Sequence, residues 1–255
     1  MHVYHLNLNS EDIKGAKLVI LPGDPFRVPK IAEEMGGKVK ELAWKREYRT
    51  FLVERDNNFF LITSTGIGGP STSIAIEELA MLGVKDFVRV GTTGSIQKHV
   101  KVGDVIISKA SVRLDGASTH YAPIEYPAVA DIRLTNLLVD AAKKSNVDYH
   151  VGITVSSDTF YPGQERYDSY SGYVIKRFRD TLKEWQKLGC LNYEMESSTL
   201  FTVTSALGLN GACITGVIVN RAISEEVSQN ALILGEENSI RVISKFVENY
   251  FREDG

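Results

Sequence analysis

The sequence predicts an α/β fold, a central, largely parallel or mixed β-sheet with helices on both faces. Three observations carry this reading. Short apolar runs rich in Val, Ile and Phe alternate with helical patterns over most of the chain. Several of those runs end in glycine-containing loops. No repeat, low-complexity tract or charged linker interrupts the 255 residues, so residues 1–255 read as a single domain.

The elements follow in order. "AKLVILPG" (16–23) reads as a buried strand that ends in a Pro-Gly turn. "FFLITSTG" (59–66) and "DFVRVGTTG" (86–94) read the same way. Between them, "PSTSIAIEELAMLG" (70–83) opens with Pro70 at a first helical position and stops at Gly83. Leu134, Leu137, Leu138, Ala141 and Ala142 mark one face of a helix. "HVGITVSSD" (150–158) and "NGACITGVIVNR" (210–221) are two more buried strands. Ile240, Ile243, Phe246, Val247 and Tyr250 share one side of a closing helix. The polar segment 220–238 matches no motif, and whether it is a lid is left open.

Composition bounds the function. Hydrophobic residues make up 43% and charged residues 24%, as in a soluble globular protein with a full core. A formal net charge of −3 gives no sign of a nucleic-acid or membrane surface. Cys190 and Cys213 suit two reduced thiols rather than a disulfide framework or a metal site. No apolar run approaches the roughly 20 residues that span a bilayer, and the N-terminus lacks a signal pattern. The expectation is a cytoplasmic protein with no nucleic-acid or membrane partner.

Three strand-end loops carry the first chemistry: "PGDPFR" with Gly23 and Arg27, "STGIGGPSTS" (64–73), and "RVGTTG" with Arg89, Thr92, Thr93 and Gly94. Ligands of such sheets bind beyond the carboxyl ends of the strands. Glycine lets backbone N–H groups approach an anion, and arginine offers a charged planar fork. Neither the Walker nor the dinucleotide spacing is present, so free phosphate fits. "LNYEMESST" (191–199) sets Glu194 and Glu196 around Met195. Two readings stand there: acids at a helix N-terminus, or a carboxylate that accepts from a diol while Met195 lies under a sugar. "SSDTFYPGQERYDSYSG" (156–172) places Phe160, Gln164 and Arg166 in one turn, which suits the edge of a flat heterocycle.

Together, "PGDPFR", "STGIGGPSTS", "RVGTTGSIQ", "ASVRLDGAS", "SSDTFYPGQERYD", "NYEMES" and "GVIVNR" closely resemble the uridine phosphorylases of the nucleoside phosphorylase superfamily, in order from about His5 to Arg221. The resemblance implies a three-layer fold with a central mixed sheet, and a homohexamer built as a trimer of dimers. It implies reversible cleavage of uridine by phosphate to uracil and ribose 1-phosphate, with no catalytic cofactor. It makes Gly23, Arg27, Arg89 and Thr92 the phosphate cradle, with Arg46 lent by a neighbouring subunit. His5 from a neighbour, Thr92, Met195 and Glu196 take the ribose. Phe160, Gln164 and Arg166 take uracil, with Thr93, Gly94 and Arg221 beside them. Gln164, Arg166 and Arg89 carry catalysis. It also implies a structural K+ at the dimer contact, held by Glu47, the Ile67 carbonyl and Ser71. Lys45 departs from the usual neutral residue or histidine.

Uracil presents acceptor, donor, acceptor along O2, N3–H and O4. A glutamine amide can serve O2 and N3–H, and an arginine can donate to O4. Cytosine would face the arginine donor to donor. A purine phosphorylase of this fold normally carries an aspartate after the late strand, where this chain has Asn220 and Arg221. A hydrolytic nucleosidase would leave Arg27, Arg46 and Arg89 without a task. A non-catalytic nucleoside-binding protein would not need an anion cradle.

Overall fold

The computed structural model describes residues 1–253. A short hairpin of β1 (His2–Val3) and β2 (Leu8–Asn9) precedes β3 (Leu18–Leu21) and α1 (Arg27–Glu34). The strands β4 (Lys38–Lys45), β5 (Tyr48–Arg55) and β6 (Asn58–Thr63) form an antiparallel meander, followed by α2 (Gly69–Leu82). Then come β7 (Asp86–Ser95), β8 (Val105–Leu114), β9 (Ala128–Val129), α3 (Ile132–Lys144) and β10 (Tyr149–Ser157). The chain closes with α4 (Thr181–Lys187), β11 (Cys190–Glu194), α5 (Ser197–Ala206), β12 (Asn210–Asn220) and α6 (Gln229–Glu253).

Ten strands form one mixed sheet in the order β11-β10-β8-β12-β7-β3-β6-β5-β4, with β9 beside β8. The pairs β3–β6, β3–β7 and β7–β12 are parallel, so three glycine loops leave one sheet edge together. Strand β11 also pairs antiparallel with β7, Tyr193 opposite Gly94. The strands β7, β12, β8, β10 and β11 thereby close on themselves, and the end of β11 lies against the end of β7.

The two-residue period of the strands sorts the core into two layers. Leu18 and Ile20, Phe60 and Ile62, and Val88 and Val90 face α1, α3 and α6. Val19 and Leu21, Leu61 and Phe87 face α2, α5 and the N-terminal hairpin. Continuous apolar strands are what a sheet covered on both faces requires, and the expected three-layer architecture is the one formed.

Each strand and helix read from periodicity is present, with ends shifted by a residue or two. The half-exposed β4 was not legible, because "KVKELAWK" lacks a clean apolar face. The 220–238 segment is split: irregular to residue 228, then the first turns of α6. Its polar residues masked a helix that rests Gly235 against Gly216 of β12. Among the described residues no helix is long and apolar enough to cross a membrane.

Candidate active site

A cleft of about 650 Å³ opens at the carboxyl ends of β3, β6, β7 and β11. It is lined by Gly23, Arg27, Arg89, Thr92, Thr93, Gly94, Phe160, Gln164, Arg166, Met195 and Glu196, eleven residues that the sequence reading had singled out. The first two loops are laced together: Thr65 N donates to Pro22 O and Gly66 N to Gly23 O, both at 2.9 Å.

Arg89 is the electrostatic centre. It rises from the middle of β7 and is 6% exposed. Its Nε donates to Glu194 Oε2 at 3.0 Å, and its Nη2 contacts Glu196 Oε2. Burial opposes its charge, but Glu196 and Glu194 outweigh burial and hold the guanidinium firmly cationic. Its Nη1 is buried without a hydrogen-bond partner among the described residues. Arg27, also buried, meets Glu236 of α6 at 3.4 Å and keeps Nη2 unpartnered. Burial, against Glu236, lowers its proton affinity. Two buried cations with unused donors at one end of a cleft make an anion site, because an orphaned buried donor costs about 1–3 kcal/mol unless something accepts from it.

The glutamates divide the work. Glu194 accepts from the N–H groups of Glu196 and Ser197 at 2.9 Å, from the Ser197 hydroxyl and from Arg89, so it is spent on structure. Glu196 accepts from Gly68 N at 2.6 Å through Oε1. The second glycine loop therefore differs from expectation: it pins a carboxylate with an N–H group at the start of α2. Burial raises the Glu196 carboxyl, Arg89 pulls it back, and Glu194 adds to the rise. Glu196 directly precedes α5, as the helix-start reading of "NYEMES" expects, and it also lines the cleft beside Met195.

The opposite end is built for a flat ring. Gln164 ends a turn of 3-10 helix, Pro162–Gln164, and is 3% exposed. Arg166 stacks its guanidinium over Phe160 at 4.3 Å and keeps a buried Nε unpartnered. Arg221 lies behind rather than in the cleft. Its side chain packs on Gly94, where a Cβ would stand 2.9 Å from Cδ, and its Nη2 donates to Gln164 O at 2.9 Å. Thr93 lines the cleft, but its hydroxyl donates to Tyr193 O and accepts from Asn192.

Within one chain, His5, Arg46 and Ser71 do not line the cleft. The His5 ring lies 2.6 Å from Glu78, which also accepts from the His5 and Leu6 N–H groups. Arg46 is exposed at the tip of the β4–β5 turn with φ 55°, beside Trp44, whose Nε1 donates to Arg46 O at 3.1 Å. Lys45 reaches the Tyr4 carbonyl at 2.5 Å and lies 3.7 Å from its ring. The three residues that the resemblance assigns to K+ are neighbours around Gly66. Ser71 Oγ lies 3.2 Å from Ile67 O, and Glu47 abuts Gly66. An oxygen-only set with one carboxylate suits a hard monovalent ion better than a transition metal.

Sequence reasoning missed three participants. Tyr193 lines the cleft under Arg221, its phenol pushed up to about 12, chiefly by burial. Glu225 pairs with both Arg166 and Arg221. Asp115 accepts from Ser118, Ser198 and Thr199 and so anchors the start of α5. Only "ASVRLDGAS" hinted at the last.

The family model described as Phosphorylase superfamily matches residues 17–250. The uridine phosphorylase of Salmonella typhimurium is 53% identical over 241 residues, 94% of this chain and 95% of that one. The uridine phosphorylase of Thermococcus kodakarensis is 42% identical over 247 residues, 96% and 88% of the two chains. A guanosine phosphorylase of Halorubrum lacusprofundi is 35% identical over 213 residues, 84% and 81%. The strand-end cleft with its two buried arginines and the match over nearly the whole chain agree, and the chain belongs to the phosphorylase superfamily.

Proposed function

We propose that the protein is a uridine phosphorylase, which cleaves uridine with phosphate to uracil and ribose 1-phosphate and runs in reverse. The observation that carries this is the cleft itself: unused buried donors of Arg27 and Arg89 at one end, Gln164 and Arg166 over Phe160 at the other. Phosphate on Arg27, Arg89, Gly23 and Thr92 attacks C1′. The C1′–N1 bond breaks, its electron pair passes to N1 and spreads onto O2 and O4, and the proton lost by phosphate then ends on N1 to give neutral uracil. Gln164 and Arg166 donate to those oxygens more strongly as charge builds, which lowers the barrier rather than merely binding substrate. Glu196 accepts from the ribose hydroxyls, and its closeness to Arg89 couples sugar and phosphate. The same edge chemistry extends to deoxyuridine and thymidine.

A purine reading finds no acid where it needs one. Asn220 gives both amide hydrogens to Gln97 O and Val100 O and accepts from Ala222 N, so it is consumed by the backbone.

The finer assembly is part of the proposal. His5 and Arg46 serve the cleft of a neighbouring subunit in a hexamer built of dimers. The ledge around them exposes Tyr4, Phe26, Trp44 and Ile67, apolar surface that suits a subunit contact. Glu47, Ile67 O and Ser71 would hold K+ at that contact, where the ion would supply charge between subunits and no chemistry. The proposed site of action is the cytoplasm.

One assay tests the reading: uridine and inosine, each with and without phosphate, followed by release of free base. Uracil released only with phosphate is expected. Equal release without phosphate would make the protein a hydrolase.

A further inference from the structure

We infer that Glu225 sets the charge of the base end of the cleft, and so determines how tightly an ionised base is held. The inference rests on the uridine phosphorylase reading of that end. Glu225 lies in the irregular segment before α6, and its carboxylate is 45% exposed. It nevertheless accepts from Arg166 Nη1 at 2.5 Å and from Arg221 Nε at 2.8 Å. These two cations repel each other: burial first, and then Arg221, lowers the proton affinity of Arg166. The other groups acting on the trio are Asp168, which favours the charge on Arg166, and the Tyr193 phenol beneath Arg221.

With Glu225 in place the trio carries one net positive charge, and without it two. The difference matters because the leaving base is briefly an anion. When C1′–N1 breaks, N1 keeps the electron pair and N3 keeps its hydrogen for Gln164. A doubly positive edge would hold that anion longer and delay its exit. A singly positive edge stabilises the developing charge and still lets the product go. Glu225 touches no substrate in this scheme and is a positioning residue. Through Arg221, whose Nη2 holds Gln164 O, it also steadies the amide that reads the base.

The test uses equilibrium binding of uracil and of the more acidic 5-fluorouracil, below and above the ionisation of the latter. The proteins are wild type, Glu225→Gln and Glu225→Asp. In Glu225→Gln the preference for 5-fluorouracil should rise with pH by at least about fivefold over wild type, the effect of one added charge across a partly screened site. Glu225→Asp, which keeps the charge, should follow wild type. Phosphate binding reports that each variant is folded. The same preference in all three proteins at both pH values would overturn the inference. So would an equal loss of both ligands at both pH values, since that is the mark of a purely structural residue. Wild-type protein that fails to bind uracil at all would overturn the uridine reading, and this inference with it.

Discussion

Gly91 lies directly beneath the Arg89 guanidinium, so close that a Cβ at residue 91 would stand 2.9 Å from Nη2 and 3.2 Å from Cζ. Both residues belong to β7, and Arg89 is already fixed from the other side by Glu194 and Glu196. Its two ion pairs oppose any retreat of the guanidinium. Gly91→Ala should therefore cost about a hundredfold in kcat/KM for phosphate, the scale of an ångström-sized misplacement, and about 1–3 kcal/mol of stability from overpacking. Phosphate saturation curves and thermal melts read the two effects. Unchanged phosphate saturation would show that the guanidinium is not held in place from below.

Arg89→Ala should lower turnover by about 10²–10³-fold and raise the phosphate requirement, while uracil binding changes far less. It also strands two buried carboxylates, so Arg27→Ala is the companion variant, with the same direction and a smaller loss of stability. Comparable loss of uracil binding in both would mean that neither is chiefly an anion ligand.

Arg46→Ala and Arg89→Ala chains, unfolded and reassembled together, should recover activity that neither has alone. In a mixed dimer with shared sites, one site holds neither defect and the other holds both. Activity no higher than that of the separate mutants, with wild-type chains refolding well, would return Arg46 to its own chain.

Asp115 ties the stability of the fold to solvent acidity through the start of α5. Burial raises its pKa, but hydrogen bonds from Ser198, Ser118 N and Thr199 outweigh burial and hold it below the usual range. A depressed carboxyl stabilises the fold above its unfolded pKa of about 3.9 and loses that contribution as pH falls through the lower folded value. Asp115→Asn should cost about 2 kcal/mol at neutral pH, and the gap to wild type should close on acidification below about pH 4. A gap that stays constant down to acid unfolding would assign the loss to shape rather than charge.

Added K+, compared with choline at equal ionic strength, should raise the thermal midpoint of the wild type and leave that of Glu47→Ala unmoved. Equal shifts in both proteins would remove Glu47 from the ion site.

Much of this architecture could be read before any coordinates, and the reasons differ by region. Strands such as Leu18–Leu21 and the apolar half of β12 are covered on both faces, so their composition announces them. Arg89 stood out beside a strand-end glycine loop, and Gln164 and Arg166 because they share one turn with Phe160. Local pattern did not separate Glu194 from Glu196, and only the family likeness chose Glu196, since the difference lies in which carboxylate receives N–H groups from its own helix start. Glu225 carried no signal. It is an acid in a polar stretch, and only folding brings it to Arg166, 59 residues away. The places of His5 and Arg46 in a neighbour's cleft came from family likeness and not from any local pattern.

The pairing of β11 with β7 has a consequence for how such a protein diverges. It joins Tyr193 to Gly94 and so welds Arg89 and Glu196 into one backbone unit, in which a shift of either strand disturbs both. Phe160, Gln164 and Arg166 hang outside that unit, on the loop after β10, and the irregular stretch after Asn220 braces them from behind through Arg221 and Glu225. Selection can therefore rewrite these two appendages while the unit that joins Arg89 to Glu196 is inherited intact.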